Sequence, residues 1–223
     1  MTMRAKSGLV AALFLLAGCG GQTAGPGAGT PVFGGQVVIA APRGYCLDPT
    51  QRREGPSGAF LLYGTCPGIE GAGPNPVAPA VLTAAVAPGA GDLGPNQMAA
   101  LADILRGPEG KATLSRSGSS DRVSVASFEQ TDDLLVIRAR DGDTIDLSED
   151  YWRAVFPQSG ALVTLTVSGT AATPLDPAAG KSLLLAFTKA VRRASPKSRP
   201  APPSKTGVST GDKGLRSLLN RLL

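Results

Sequence analysis

The alternation of apolar and polar positions along the chain predicts a set of short strands and two helices joined by polar connections. Val37-Val38-Ile39-Ala40 is a β-branched run that opens the fold, and Phe60-Leu61-Leu62-Tyr63 reads as a second strand. Between them, residues 43–58 are polar and turn-rich, and residues 67–79 form a Gly/Pro stretch with little capacity for regular structure. Residues 81–86 are the next strand, followed by 111–115, 123–129 and 134–140, with Asp132-Asp133 as a turn. Over 151–156 the residues Trp152, Ala154 and Phe156 share one face. After a turn at Pro157-Gln158-Ser159-Gly160, Val163, Leu165 and Val167 share one face of residues 161–167, with threonines on the other. This is the clearest hairpin in the chain.

Helical spacing occurs twice. Met98, Leu101, Ala102 and Leu105 fall on one face of a segment that Asn96 caps and Gly107-Pro108 stops. Leu183, Leu184, Phe187, Ala190 and Val191 form the apolar stripe of a second helix. Asp176-Pro177 opens it, because Asp accepts from free amides and Pro suits the first turn. Lys189, Arg192 and Arg193 sit near its C-terminus, where positive charge offsets the dipole. Strands, a helix, more strands and a closing helix imply an α+β domain, a mostly antiparallel sheet covered by about two helices. Residues 128–191 resemble the Mog1/PsbP-like fold, in which such hairpins lead into a C-terminal helix on the sheet. That resemblance covers roughly a third of the chain and rests on pattern alone. It implies a binding or assembly factor.

The N-terminus carries an address. Arg4 and Lys6 precede an apolar stretch over residues 8–17, too short to span a bilayer, which takes about 20 residues. It has the form of a signal-peptide core and ends in Leu16-Ala17-Gly18-Cys19. This resembles the lipobox of bacterial lipoproteins. The resemblance implies that the Cys19 thiol takes a diacylglyceryl group and that cleavage falls just before it. It therefore implies attachment to a membrane through lipid on Cys19, outside the cytoplasm. Gly20 follows, with no Asp beside the cysteine, which resembles lipoproteins sent to the outer membrane, facing the periplasm, rather than kept at the inner one. The expected organisation is a leader over 1–18, a flexible lipidated spacer over 19–31 and one domain over 32–194. A disordered basic linker over 195–214 and a short amphipathic helix over 215–223 complete it.

Composition sharpens this picture in three places. The formal net charge is +5, but the leader holds +2 and the chain from Arg192 onward holds +7, so residues 20–191 carry −4. A mildly acidic domain with few aromatics is not a nucleic-acid surface. Of the three cysteines, removing Cys19 leaves Cys46 and Cys66, which pair in an oxidising compartment. Such a bridge closes a loop of about 20 residues and stabilises by roughly 3 kcal/mol. In the tail, Leu215, Leu218, Leu219, Leu222 and Leu223 follow helical spacing with Arg216 and Arg221 off the stripe. That pattern suits docking on a membrane or partner, and is too short to be stable alone.

The search for chemistry is largely negative. The chain has no histidine, which removes Ser-His and Cys-His pairs and the usual catalytic zinc sites. No cofactor or metal is expected. Gly180-Lys181-Ser182 resembles the end of a phosphate loop, but the position five before Gly180 is Leu175, so a helix first turn is the reading. Asp141-Gly142-Asp143-Thr144-Ile145-Asp146, with Glu149 and Asp150, is acidic enough to suggest calcium, yet Ile145 and Asp146 stand where a calcium loop needs an oxygen ligand and Gly. A solvated turn is the expectation. Ser115 and Ser182 lie near basic residues in sequence only. The leading functional expectation is a non-enzymatic envelope lipoprotein that binds or scaffolds an envelope partner. Two alternatives stay open: a cell-wall or glycan hydrolase with unidentified carboxylates, and a small-ligand-binding lipoprotein.

Overall fold

The computed structural model describes residues 29–197 apart from 72, 75, 91 and 92. Cys19 and the segment from Leu215, with Arg216, Leu218, Leu219, Arg221 and Leu222, lie outside the described residues. A small hairpin, β1 (Thr30–Val32) and β2 (Val37–Ile39), precedes an eight-stranded sheet. Its strands are β3 (Tyr45–Leu47), β4 (Arg53–Gly55), β5 (Gly58–Thr65), β6 (Ala80–Pro88), β7 (Val123–Gln130), β8 (Leu135–Asp141), β9 (Leu147–Gln158) and β10 (Ala161–Thr170). The spatial order is β3-β5-β6-β10-β9-β8-β7, with β4 on the same edge of β5 as β3, and every pairing is antiparallel. Helices α1 (Cys66–Glu70), α2 (Pro95–Arg106), α3 (Pro108–Leu114) and α4 (Pro177–Ala194) complete an α+β domain.

The two-residue period of the strands divides the sheet into two faces. On one face, Leu61, Tyr63, Leu82, Trp152, Phe156 and Leu165 pack with Leu184, Phe187 and Val191 of α4 and with the β1–β2 hairpin. On the other face, Met98, Leu101 and Leu105 of α2 and Leu114 of α3 cover Leu135, Ile137, Tyr151 and Val155. Helix α4 comes close because residue 180 is glycine: a Cβ there would lie 2.8 Å from the Trp152 ring. Asp176 caps α4 as expected, its Oδ1 accepting from Ala178 N at 2.9 Å and Ala179 N at 3.1 Å.

Several expectations need correction. The stretch 111–115 is helix α3 and its end, not a strand. Gly107 is extended (φ −74°, ψ 174°), so it turns the chain without a left-handed cap, and Pro108 starts a new helix at a position where its missing N–H costs nothing. The cap of α2 is Gly94 with Pro95 in the first turn, which leaves Asn96 inside the helix. The β9–β10 turn is the pair Ser159-Gly160, both with positive φ (52° and 77°). Pro157 and Gln158 stay in β9. The turn-rich stretch 43–58 hides two three-residue edge strands, β3 and β4. At the ends, β1 begins at Thr30, inside the expected spacer. Ser195 is anchored too: its hydroxyl accepts from Val38 N at 3.0 Å and donates to Val38 O at 3.1 Å. Cys46 and Cys66 form the expected disulfide, with Cα atoms 4.7 Å apart, tying β3 to α1.

All three tyrosines, Tyr45, Tyr63 and Tyr151, are buried. Burial pushes the Tyr63 phenol from 10.0 up to about 12 and raises Tyr45 and Tyr151 in the same direction. The folded state therefore holds these protons more tightly than the unfolded chain, where tyrosine titrates near pH 10. This contribution to stability is fully present below about pH 10 and is lost as pH rises toward about 12. Tyrosinate absorbance is expected to rise only above the ordinary value and together with loss of the fold. A tyrosine that ionises at its ordinary value while circular dichroism stays native would contradict this packing.

Candidate functional site

Helices α2 and α3 cover only part of their face of the sheet. Across β5 and β6 that face is left half-buried and, together with β10, where Thr164 and Ser168 are buried, it forms the floor of a cleft of about 590 Å³, within the range of small-molecule sites, about 300–1,000 Å³. The register places its floor in rows, two across four strands and one across three. One row is Phe60-Ala85-Thr164-Val155 and the next is Leu62-Thr83-Thr166-Arg153; a third runs Val81-Ser168-Tyr151. Along the second row polarity changes from apolar Leu62 on β5, through the hydroxyls of Thr83 and Thr166, to the Arg153 guanidinium on β9. Leu105, Thr113 and the loop Ser115-Arg116-Ser117-Gly118 form part of the wall.

Two arginines bring charge to this cleft. Arg153 donates from Nη1 to Thr113 O at 2.8 Å and from Nε to Thr166 Oγ1 at 3.3 Å. Arg116 donates from Nη2 to Ser168 Oγ at 3.2 Å and to Ser148 O at 3.3 Å. Both guanidinium carbons lie over the Tyr151 ring, 4.8 Å (Arg116) and 5.3 Å (Arg153) from its centroid. The Tyr151 hydroxyl donates to Leu114 O, which fixes the ring between the sheet and α3. Among the described residues neither arginine forms an ion pair. Burial holds the Arg116 pKa below the usual arginine value; Tyr151 and Asp141 act in the opposite sense. Arginine keeps its charge at neutral pH in any case. Two polar atoms of this cleft's residues, Arg116 Nη1 and Thr164 Oγ1, are buried with no hydrogen-bond partner among the described residues, and Thr164 is only 8% exposed. Buried polar groups are nearly always paired, so two in one site call for a reason.

Asp141 sets the position of Arg116. It is fully buried, and its Oδ2 accepts from Arg116 N at 2.7 Å while Oδ1 accepts from Asp143 N at 3.0 Å. Asp143 in turn accepts from Ser117 Oγ at 2.8 Å and pairs with Arg122 at 3.0 Å. The acidic stretch read as a solvated turn is, at Asp141, an internal brace for the cleft loop. Glu149 and Asp150 pair with Arg140 and Arg138. Among the described residues no group of three or more His, Cys, Asp or Glu is placed to hold a metal ion.

The other sequence-derived candidates have structural partners. Lys181 pairs with Glu129 at 2.6 Å within the first turns of α4. The Ser115 hydroxyl meets that of Ser117 at 3.0 Å, and Ser117 donates on to Asp143. A second, smaller cleft of about 170 Å³ near the start of α4 contains Arg138 and Asp150, which neutralise each other. The arginines of the main cleft escaped the sequence reading. Arg153 sits at an alternating position that looks solvent-facing, and Arg116 lies in a Ser/Gly loop without a pattern. No helix among the described residues is long and apolar enough to cross a membrane.

The fold and the cleft define an α+β domain with one half-covered, arginine-bearing sheet face. No family model matches the chain, and no curated protein matches it either.

Proposed function

We propose that this chain is a non-enzymatic binding module of the bacterial cell envelope, held to a membrane by lipid on Cys19, and that the cleft on β5, β6 and β10 holds a small-molecule ligand. The observation that carries the reading is the uncovered floor: Phe60, Leu62, Val81 and Ala85 line a cleft about 590 Å³ in volume instead of packing beneath α2 and α3. The ligand-binding alternative gains from this. The hydrolase alternative does not gain from either cleft: among the described residues the 590 Å³ cleft is lined by no acid and the 170 Å³ cleft by Asp150 alone, paired with Arg138. Glycoside hydrolysis needs two carboxylates facing one bond. A binding role is also what the resemblance of residues 128–191 to the Mog1/PsbP-like fold implies.

Native mass spectrometry of the full chain, released from bacterial membranes in a nonionic detergent, tests this. Wild type is expected to carry a small-molecule adduct, and Thr83→Trp, which fills the middle of the floor, is expected to lose it. Bare protein in both samples would overturn the binding reading. The anchor has its own test. Metabolic labelling with an alkyne-bearing palmitate is expected to mark the wild-type chain and leave Cys19→Ser unmarked; equal labelling of the two would remove Cys19 as the attachment point.

A further inference from the structure

We infer that the ligand of this cleft is an anionic amphiphile, with a carboxylate or phosphate head between Arg116 and Arg153 and an apolar chain laid over Thr83 and Val81 toward Leu62 and Phe60. This rests on the cleft being the binding site, and adds the chemistry of what it binds.

Three observations converge on it. The first is guanidinium charge with no direct ion-pair partner among the described residues. Arg116 and Arg153 line the cleft together, and among the described residues no acid does. The nearby charge of Asp141 partly offsets that of Arg116, but its oxygens accept from the amides of Arg116 and Asp143 and not from a guanidinium. Two guanidinium groups share one aromatic ring and have only neutral acceptors. An anion between them supplies a direct ion-pair partner and suits the fork geometry of arginine, which matches carboxylate and phosphate oxygens.

The second is the unmet hydrogen-bonding capacity. Arg116 Nη1 and Thr164 Oγ1 are enclosed without partners, and both residues line this cleft. A head group between the two arginines accepts from Arg116 Nη1 after a side-chain adjustment, and leaving that donor unpaired is costly.

The third is the direction of the polarity gradient. From Arg153 on β9, the row crosses Thr166 and Thr83 to Leu62 on β5. That is three strand spacings, about 14 Å. A compact polar ion such as sulfate needs only the arginine end, and a neutral hydrocarbon needs only the β5 end. A molecule with an acid at one end and a chain at the other uses the whole row. Lipid on Cys19 would place the domain where such molecules are abundant.

The test is photo-crosslinking of the full chain in phosphatidylcholine nanodiscs, with sites mapped by mass spectrometry. Three diazirine-bearing probes are compared: palmitic acid, hexadecyl phosphate and hexadecanol. The acid, the phosphate or both are expected to label the peptides holding Phe60, Leu62 and Val81 about tenfold more than the alcohol, the value of one charge-assisted hydrogen bond. Preference between acid and phosphate identifies which head group the site takes. Arg116→Gln and Arg153→Gln are each expected to reduce that labelling by a similar factor, with Arg116→Lys retaining more than Arg116→Gln. Because the acid–alcohol comparison is made on wild type, it stands even if a variant misfolds. Equal labelling of the cleft by acid, phosphate and alcohol would overturn the anionic assignment and leave the binding reading in place. Absence of cleft labelling by all three would overturn the assignment as well; if the membrane-derived adduct is also absent, the binding reading falls with it.

Discussion

Replacing Phe187 by alanine is expected to destabilise the domain by about 3–5 kcal/mol, the range for deleting a large aromatic from a closed core. Phe187 is fully buried between α4 and the sheet. Its ring meets that of Tyr63 edge-on, with centroids 5.8 Å apart and planes at 74°. The space cannot collapse easily, because Leu184 and Val191 on the same stripe are also fully buried against the sheet. The control lies one turn of reasoning away: Leu185, on the same helix, is 40% exposed, and Leu185→Ala is expected to change stability by no more than about 0.5 kcal/mol. Urea unfolding of both variants measures the difference. Similar midpoints for the two would mean that α4 does not bury the stripe assigned to it.

The second large effect concerns Asp141. Asp141→Ala removes two hydrogen bonds from a carboxylate to backbone amides, each worth about 1.5–3 kcal/mol, and is expected to cost roughly 3 kcal/mol in all. Its consequence differs from that of Phe187→Ala. The amides left without acceptors belong to Arg116 and Asp143, so the loop carrying Arg116 should loosen before the sheet does. Hydrogen exchange is expected to show faster exchange over residues 115–122 in Asp141→Ala, with β10 and α4 protected as in wild type. Unchanged exchange in that loop would show that Asp141 does not brace it.

The sequence carried the fold more clearly than the cleft, for a physical reason. The β9–β10 hairpin was legible because one face must be apolar, and Trp152, Ala154, Phe156, Val163, Leu165 and Val167 mark that face by strict alternation. The stripes of α2 and α4 were legible by the same logic at helical period. Edge strands β3 and β4 were not, since three residues are too short to show a period and their pairing to β5 is set by contacts distant in sequence. Residues 111–115 misled because Gly-Pro ends one helix and begins another equally well; only the extended Gly107 decides between them. The cleft is built from the positions that alternation assigns to solvent: Arg153, Thr164, Thr166 and Thr83. Whether they meet water or a ligand depends on how much of that face α2 and α3 cover, which no local pattern states. Arg116 gave no signal at all, since its place depends on a carboxylate 25 residues away at Asp141.

The most direct measurement on the central claim is methyl NMR of the full chain in phosphatidylcholine nanodiscs, before and after addition of a lipid extract from bacterial membranes. Leu62, Val81 and Leu105 report on the cleft; Leu184 and Val191 report on the opposite core. Ligand binding in the cleft is expected to give saturable shifts in the first group with the second unmoved. Shifts confined to Leu184 and Val191, or none in either group, would contradict it.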